Sequence, residues 1–205
     1  ALAYACTGAV RNSSDQLAVL YFVEQLHLDL ERKPPAVFYT MNLMPIVAVL
    51  GSFSAGWISD KLFKGHRSPV AMTLYYFESL VILTAALVIY MGLVGPSPLG
   101  IFLGCLFLVL VSLTANSTHA IVGAAAPMDI GGRKMAGFAT GVIDSFQYYG
   151  TAIALPITGR LIDKYGWGVW YPTMAGFGFI GGCAMLMVMR KQKALARAAA
   201  SRTGA

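Results

Sequence analysis

Charge is scarce in this sequence. Of 205 residues, 12% are Asp, Glu, Lys or Arg and 57% are apolar, with a mean hydropathy of +0.66. A soluble domain carries about 25% charged residues. Half that charge cannot cover a water-soluble globule of this size, so a small soluble domain is excluded. Only three cysteines are present, too few for a disulfide-stapled secreted scaffold. The hydrophobicity excludes disorder. Long linkers, a second domain and a signal-peptide pattern are lacking too. So are H-E-x-x-H, C-x-x-C and the P-loop, as well as G-x-S-x-G. No catalytic, cofactor-binding or metal-binding set is expected, and an enzyme is the inferior reading. Cys6, Cys105 and Cys183 fall in separate apolar runs and read as small apolar residues.

What is present is a series of long apolar runs. A helix needs about 20 mostly apolar residues to cross the hydrocarbon core. Six stretches meet that length: Leu2–Val23, Ala36–Ile58, Val70–Val94, Leu99–Ala126, Met135–Thr158 and Val169–Met189. Polar or Pro/Gly-marked breaks separate them at Glu24–Pro35, Ser59–Pro69, Gly95–Pro98, Pro127–Lys134 and Gly159–Gly168. The expected class is an all-α membrane protein, with residues 1–189 as one six-helix unit and 190–205 as a basic tail. The chain opens inside an apolar run without an initiating Met, and reads as an excised fragment or a processed product.

The net charge of +6 takes its meaning from where the bases lie. Lys61, Lys64, Arg67, Arg133, Lys134, Arg190, Lys191, Lys193, Arg197 and Arg202 fall on one side of the predicted topology. Arg32, Lys33, Arg160 and Lys164 fall on the other. Ten against four is a positive-inside bias that places both ends of the segment in the cytoplasm. The basic excess is thus a topology signal, and nucleic acid is not an expected partner.

Two breaks share a pattern. Gly56-Trp-Ile-Ser-Asp60-Lys61 and Gly159-Arg-Leu-Ile-Asp163-Lys164 both read G-x-x-x-D-K at the end of the middle helix of a three-helix set. The topology puts them on opposite faces, as an inverted 3+3 repeat requires. A Gly allows close helix approach, and an Asp at a helix end can take backbone N–H bonds and pair with a base. The pattern also fits a tight loop with a helix cap.

Ionisable residues inside a membrane are costly and point to function. Arg11, Asp15, Glu78, His119 and Asp144 lie inside the predicted spans. Arg11 offers a planar, always-charged fork suited to phosphate or carboxylate. Asp15, one turn on, could pair with it, so the couple reads either as an anion site or as a structural ion pair. Asp144, Gln147, Tyr148 and Thr151 form one polar stripe at i, i+3, i+4 and i+7. Asp144 there suits a proton, a cation, a substrate hydroxyl or an interhelical hydrogen bond. Asn116 and His119 share a face at i, i+3, where His119 is a ligand, a proton carrier or a packing residue. Tyr39 and Asn42 add a possible polar contact one turn apart, and Glu78 has no evident local partner. Gly137/Gly141 and Gly178/Gly182 are small-xxx-small pairs that suggest helix packing.

Together these features resemble the C-terminal half of a major facilitator superfamily transporter. Gly56-Trp-Ile-Ser-Asp-Lys-Leu-Phe-Lys-Gly-His-Arg67 resembles that superfamily's signature loop. It matches the G-W-x-S-D-K-x-F-x-G-x-R form of the organophosphate:phosphate antiporter family almost residue for residue. Arg11 occupies the place of that family's phosphate-binding Arg, with Tyr21 and Glu24 at similar offsets. Arg133-Lys-Met-Ala-Gly137 resembles the family's K-x-A-G entry into the next helix, and Gly159 to Trp167 resembles its G-x-x-x-D-x-x-G-W ending. Asp144 stands where bacterial glycerol-3-phosphate carriers have a small residue.

The resemblance implies one six-helix half of a major facilitator fold in a cell (inner) membrane, completed by an N-terminal half. It implies exchange of an organic phosphate for inorganic phosphate by alternating access. The implied site lies between the halves, lined by the first, second, fourth and fifth spans. Arg11, Asp15, Tyr39, Asn42, Asn116, His119, Asp144, Gln147 and Tyr148 are its candidate substrate contacts. Gly56, Asp60, Lys61, Arg67, Gly159 and Asp163 are the candidate gating residues. A sugar-phosphate sensor of the same fold and a related organic-anion transporter are the alternatives.

Overall fold

A computed structural model describes residues 1–63 and 67–202, with the side chains of 124–134, 136, 196, 198–200 and 202 outside the described set. The Lys64-Gly65-His66 part of the signature loop, and the side chains of Arg133, Lys134 and Arg202, therefore lie outside the described residues.

Six long helices account for most of the chain: α1 (Leu2–Glu24), α2 (Pro35–Leu62), α3 (Arg67–Tyr90), α4 (Pro98–His119), α5 (Ala126–Tyr165) and α6 (Trp170–Arg202). Local chemistry fixes several of their ends. α2 and α4 begin on Pro35 and Pro98, where a missing N–H costs nothing. Ser97 caps α4 by accepting from the Gly100 N–H at 3.0 Å. Gly92 and Gly166 stop α3 and α5 with positive φ.

Two expectations change. The predicted break at Pro127–Lys134 is helical, because α4 passes through a π-helical stretch, Ala120–Ala125, directly into α5. Pro127 lies where that π-helical stretch gives way to α5. The basic stretch after Met189 likewise continues α6 as far as Arg202.

Among the described residues, four helices are long and apolar enough to cross a membrane: those over Pro35–Leu62, Arg67–Tyr90, Pro98–Gly123 and Trp167–Leu195. α1 and α5 fall short because of their polar inserts. α1 carries Arg11-Asn-Ser-Ser-Asp-Gln16, and α5 carries Asp129, Arg133, Lys134 and Asp144. These two helices pack against each other, which buries Ser13, Ser14 and Gln147 and leaves Asp15 and Gln16 exposed.

The packing has a regularity. α1 packs on α5, α6 and α4, while α4 packs on α2, α3 and α1, and α3 lies along α6. Exchanging helices 1–3 with 4–6 leaves this set of neighbours unchanged. Apolar side chains collect in two clusters. One joins Tyr21, Phe22, Ile82, Leu108, Ile162, Trp167, Trp170 and Tyr171. The other joins Tyr4, Ala55, Val70, Tyr75, Val122 and Met185. The end of α2 thus enters one cluster and the end of α5 the other. Thr7, Ser13, Glu78, Ser112, Thr114, Thr118 and Gln147 are buried along the stretches of helix between them.

α1 and α5 touch closely where two glycines remove side chains. A Cβ on Gly8 would strike the Gln147 carbonyl, and one on Gly150 would strike the Ala5 carbonyl. Gly178 and Gly182 similarly abut Ser79 and Tyr76 of α3. Gly137 and Gly141 do not pack within the described residues, since a Cβ there meets open space.

Candidate functional site

The site is built where α1, α2 and α4 meet. Arg11 sits midway along α1 and is half-buried. Its Nε–H donates to Asn116 Oδ1 at 2.9 Å. Asn116 is held in turn by its own amide, which donates to the Ser112 carbonyl one turn back at 2.8 Å. The guanidinium plane is thereby fixed while its two Nη groups meet no acceptor among the described residues. Arg11, Ala48, Val49, Ser52, Phe53, Asn116 and His119 line a cleft of about 500 Å³. One wall is the apolar side of α2, and the opposing wall carries a cation, an amide and an imidazole.

The ion pair considered for Arg11 and Asp15 is not formed. Arg11 turns to Asn116, and Asp15 is exposed. Among the described residues the one ion pair is Asp29–Arg32, at 3.0 Å outside the long helices. A fixed amide dipole has thus taken the place of a contacting carboxylate, with Asp15 within electrostatic reach but not in contact.

Behind His119 lies a relay. His119 Nδ1 is 2.7 Å from the Tyr4 hydroxyl, and the two rings stack with centroids 5.4 Å apart. The same hydroxyl donates to Asp144 Oδ1 at 3.3 Å. Tyr4 thus links Asp144 of α5 to the cleft-lining His119. Gln147 is buried against Gly8, and Tyr148 is 62% exposed. Thr151, the last member of the stripe, accepts from the Asn12 amide at 2.7 Å. Asp144, Gln147 and Thr151 thus face α1, while Tyr148 turns outward.

Tyr39 and Asn42 are not brought to this cleft. Asn42 donates to the Phe38 carbonyl of its own helix at 2.7 Å. Tyr39 packs on Phe38, with ring centroids 5.6 Å apart. It lines a separate cleft of about 390 Å³ with Ala36, Leu43, Ile101, Phe102 and Cys105. Trp167 Nε1 donates to Glu24 at 3.0 Å, and Tyr21 stacks among Trp167, Trp170 and Tyr171. The two residues set by offset from Arg11 therefore brace the helix end rather than the cleft.

The gating candidates occupy matching places. Asp60-Lys61 and Asp163-Lys164 each fall in the last turn of their helix, α2 and α5, and all four are exposed. Lys164 Nζ lies 5.0 Å over the Tyr165 ring. Gly56 and Gly159 allow no close approach within the described residues, because a Cβ at either meets open space. Arg67 opens α3.

Sequence reasoning missed Tyr4, Asn12, Ser52 and Phe53. Tyr4 was legible in principle: Tyr4, Gly8 and Arg11 fall at i, i+4 and i+7 and share a face of α1. Ser52 and Phe53 gave no signal, because any apolar stretch of α2 would look the same.

No protein-family model matches the chain. Individual relatives do. It is 24% identical over 192 residues to the membrane sensor protein UhpC of Escherichia coli K12, covering 92% of this chain and 40% of that protein. It is 26% identical over 159 residues to a probable hexose phosphate transport protein of Chlamydia trachomatis, covering 77% of this chain and 32% of that one. It is 28% identical over 186 residues to the glycerol-3-phosphate transporter of Haemophilus influenzae, covering 83% and 36%. The chain's homologues are therefore proteins of the organophosphate:phosphate antiporter family, within the major facilitator superfamily. The chain spans at most two-fifths of the length of these curated relatives. Helices apolar enough to span a bilayer and membrane-transporter homologues together fit a multi-pass membrane protein.

Proposed function

We propose that this chain is the C-terminal six-helix half of a secondary transporter that exchanges an organic phosphate ester for inorganic phosphate by alternating access. The observation that carries the reading is Arg11. It is a half-buried guanidinium with no carboxylate partner, held by Asn116 and open to a cleft. A phosphoryl group supplies what it lacks, a compact anion that takes two parallel N–H bonds from the fork. Ser52 and His119 stand beside it to meet further oxygens, and Tyr4 and Asp144 orient the imidazole. The names of the homologous transporters, for hexose phosphate and glycerol-3-phosphate, agree with that chemistry.

The fold we propose is an inverted 3+3 repeat in a cell (inner) membrane, both ends of the segment cytoplasmic, with an N-terminal half closing the cleft. Support comes from the neighbour set unchanged by exchanging three helices with three. It comes also from the matching places of Asp60 and Asp163, and from the basic-residue bias. The open faces at Gly56, Gly159, Gly137 and Gly141 agree with a partner half. Phosphate loading at Arg11 would draw the halves together, and the Asp60/Lys61 and Asp163/Lys164 ends would make and break contacts as they rock.

Full-length protein in proteoliposomes loaded with inorganic phosphate tests this. Rapid exchange of external labelled sugar phosphate for internal phosphate is expected. A sensor is the second reading, favoured by the match to UhpC over 92% of the chain. Saturable sugar-phosphate binding without exchange would select it.

A further inference from the structure

Glu78, on α3, lies outside the cleft and is fully buried. Its Oε2 is 2.8 Å from the Thr118 hydroxyl of α4. That hydroxyl is also 3.1 Å from the Thr114 carbonyl, one turn back on its own helix. Oε1 has no partner among the described residues. A threonine hydroxyl has one proton. If Glu78 were ionised, that proton would have to choose between a carboxylate and a carbonyl, and one contact would be lost. If Glu78 carries a proton on Oε2, both contacts form together: the acid donates to Thr118, and Thr118 donates to Thr114.

The surroundings point the same way. The nearest titratable groups are the Cys6 thiol of α1 and the Tyr75 phenol of α3, neither of them a cation. The Tyr75 hydroxyl is already engaged by Thr7 and the Ala3 carbonyl. α6 meets this stretch of α3 through Ala175 and Gly178, and the π-helical stretch contributes the buried Ile121 and Val122. A buried carboxylate without a cation is strongly disfavoured, whereas a neutral acid with one good hydrogen bond costs far less.

We infer that Glu78 is a resident proton-binding site, a neutral acid that ties α3 to α4 one residue before His119. Its proton completes a three-group chain at the point where α4 widens into the π-helical stretch. Such a tie fixes the register of the last turn of α4, which carries Asn116 and His119 into the cleft.

Infrared difference spectroscopy on the full-length protein at neutral pH, wild type minus Glu78→Gln, tests this without any transport readout. The expected result is loss of one protonated-acid carbonyl band, with no loss from the carboxylate bands. Loss of a carboxylate band instead would overturn the inference. Should Glu78→Gln not fold, Thr118→Val serves in its place. Removing the hydroxyl shifts the protonated-acid band, and an unshifted spectrum contradicts the chain described.

Discussion

Two clefts among the described residues lie along the helix pair α2–α4, and they differ in chemistry. Near the start of both helices, Ala36, Tyr39, Leu43, Ile101, Phe102 and Cys105 enclose about 390 Å³ of nearly apolar space. Three turns further along α2, Ala48, Val49, Ser52 and Phe53 face Asn116 and His119 across about 500 Å³. The α2 walls are alike. The difference lies in α4, which turns Asn116 and His119 to the second cleft, and in α1, which delivers Arg11 to it and nothing to the first. A bilayer-spanning helix pair makes apolar hollows easily. A ligand site needs a polar helix brought in beside it and held there, and here α5 holds it at Gly8 and Gly150.

The comparison can be broken most directly at Arg11. Arg11→Lys keeps the charge but loses the fork. The loss of one charge-assisted bond, about 1.5–3 kcal/mol, lowers phosphate-ester exchange roughly ten- to hundredfold in proteoliposomes, while membrane insertion is retained. Next in size is Gly150→Ala, which pushes α1 and α5 apart against a backbone carbonyl. Overpacking of this kind costs about 1–3 kcal/mol, read as a lower melting temperature of detergent-solubilised full-length protein and as lost exchange. Asn116→Ala frees the guanidinium without removing it and should weaken ligand binding about fivefold, the ~1 kcal/mol worth of one hydrogen bond. Tyr39→Ala alters only the apolar cleft and should change exchange by less than about twofold. Arg11-like losses from Tyr39→Ala would mean that the two clefts act as one.

The membrane class was legible because apolar run length is a direct consequence of bilayer thickness. Helix ends were less so. Pro127 reads as a breaker, yet the chain stays helical through it, directly after the π-helical stretch. Apolarity reports where lipid stops, whereas a helix continues as far as its backbone bonds allow. The candidate Arg11 was legible from cost, since a guanidinium in the middle of an expected span calls for either a bound anion or an ion pair. Its partner was not. Sequence spacing favours Asp15 at i+4, but side chains that meet across helices are set by packing, and Asn116 lies 105 residues away. The polar stripe of α5 was read correctly as one face apart from Tyr148, while its neighbour Tyr4 passed as one more aromatic residue.

The central claim is that the Arg11 guanidinium is the phosphate ligand. Competition of inorganic phosphate against a labelled sugar phosphate, in full-length wild type and in Arg11→Lys, tests it with one measurement. The account predicts that both ligands weaken together, roughly ten- to hundredfold, because the lost fork serves the phosphoryl group they share. Unchanged phosphate affinity in Arg11→Lys would contradict it.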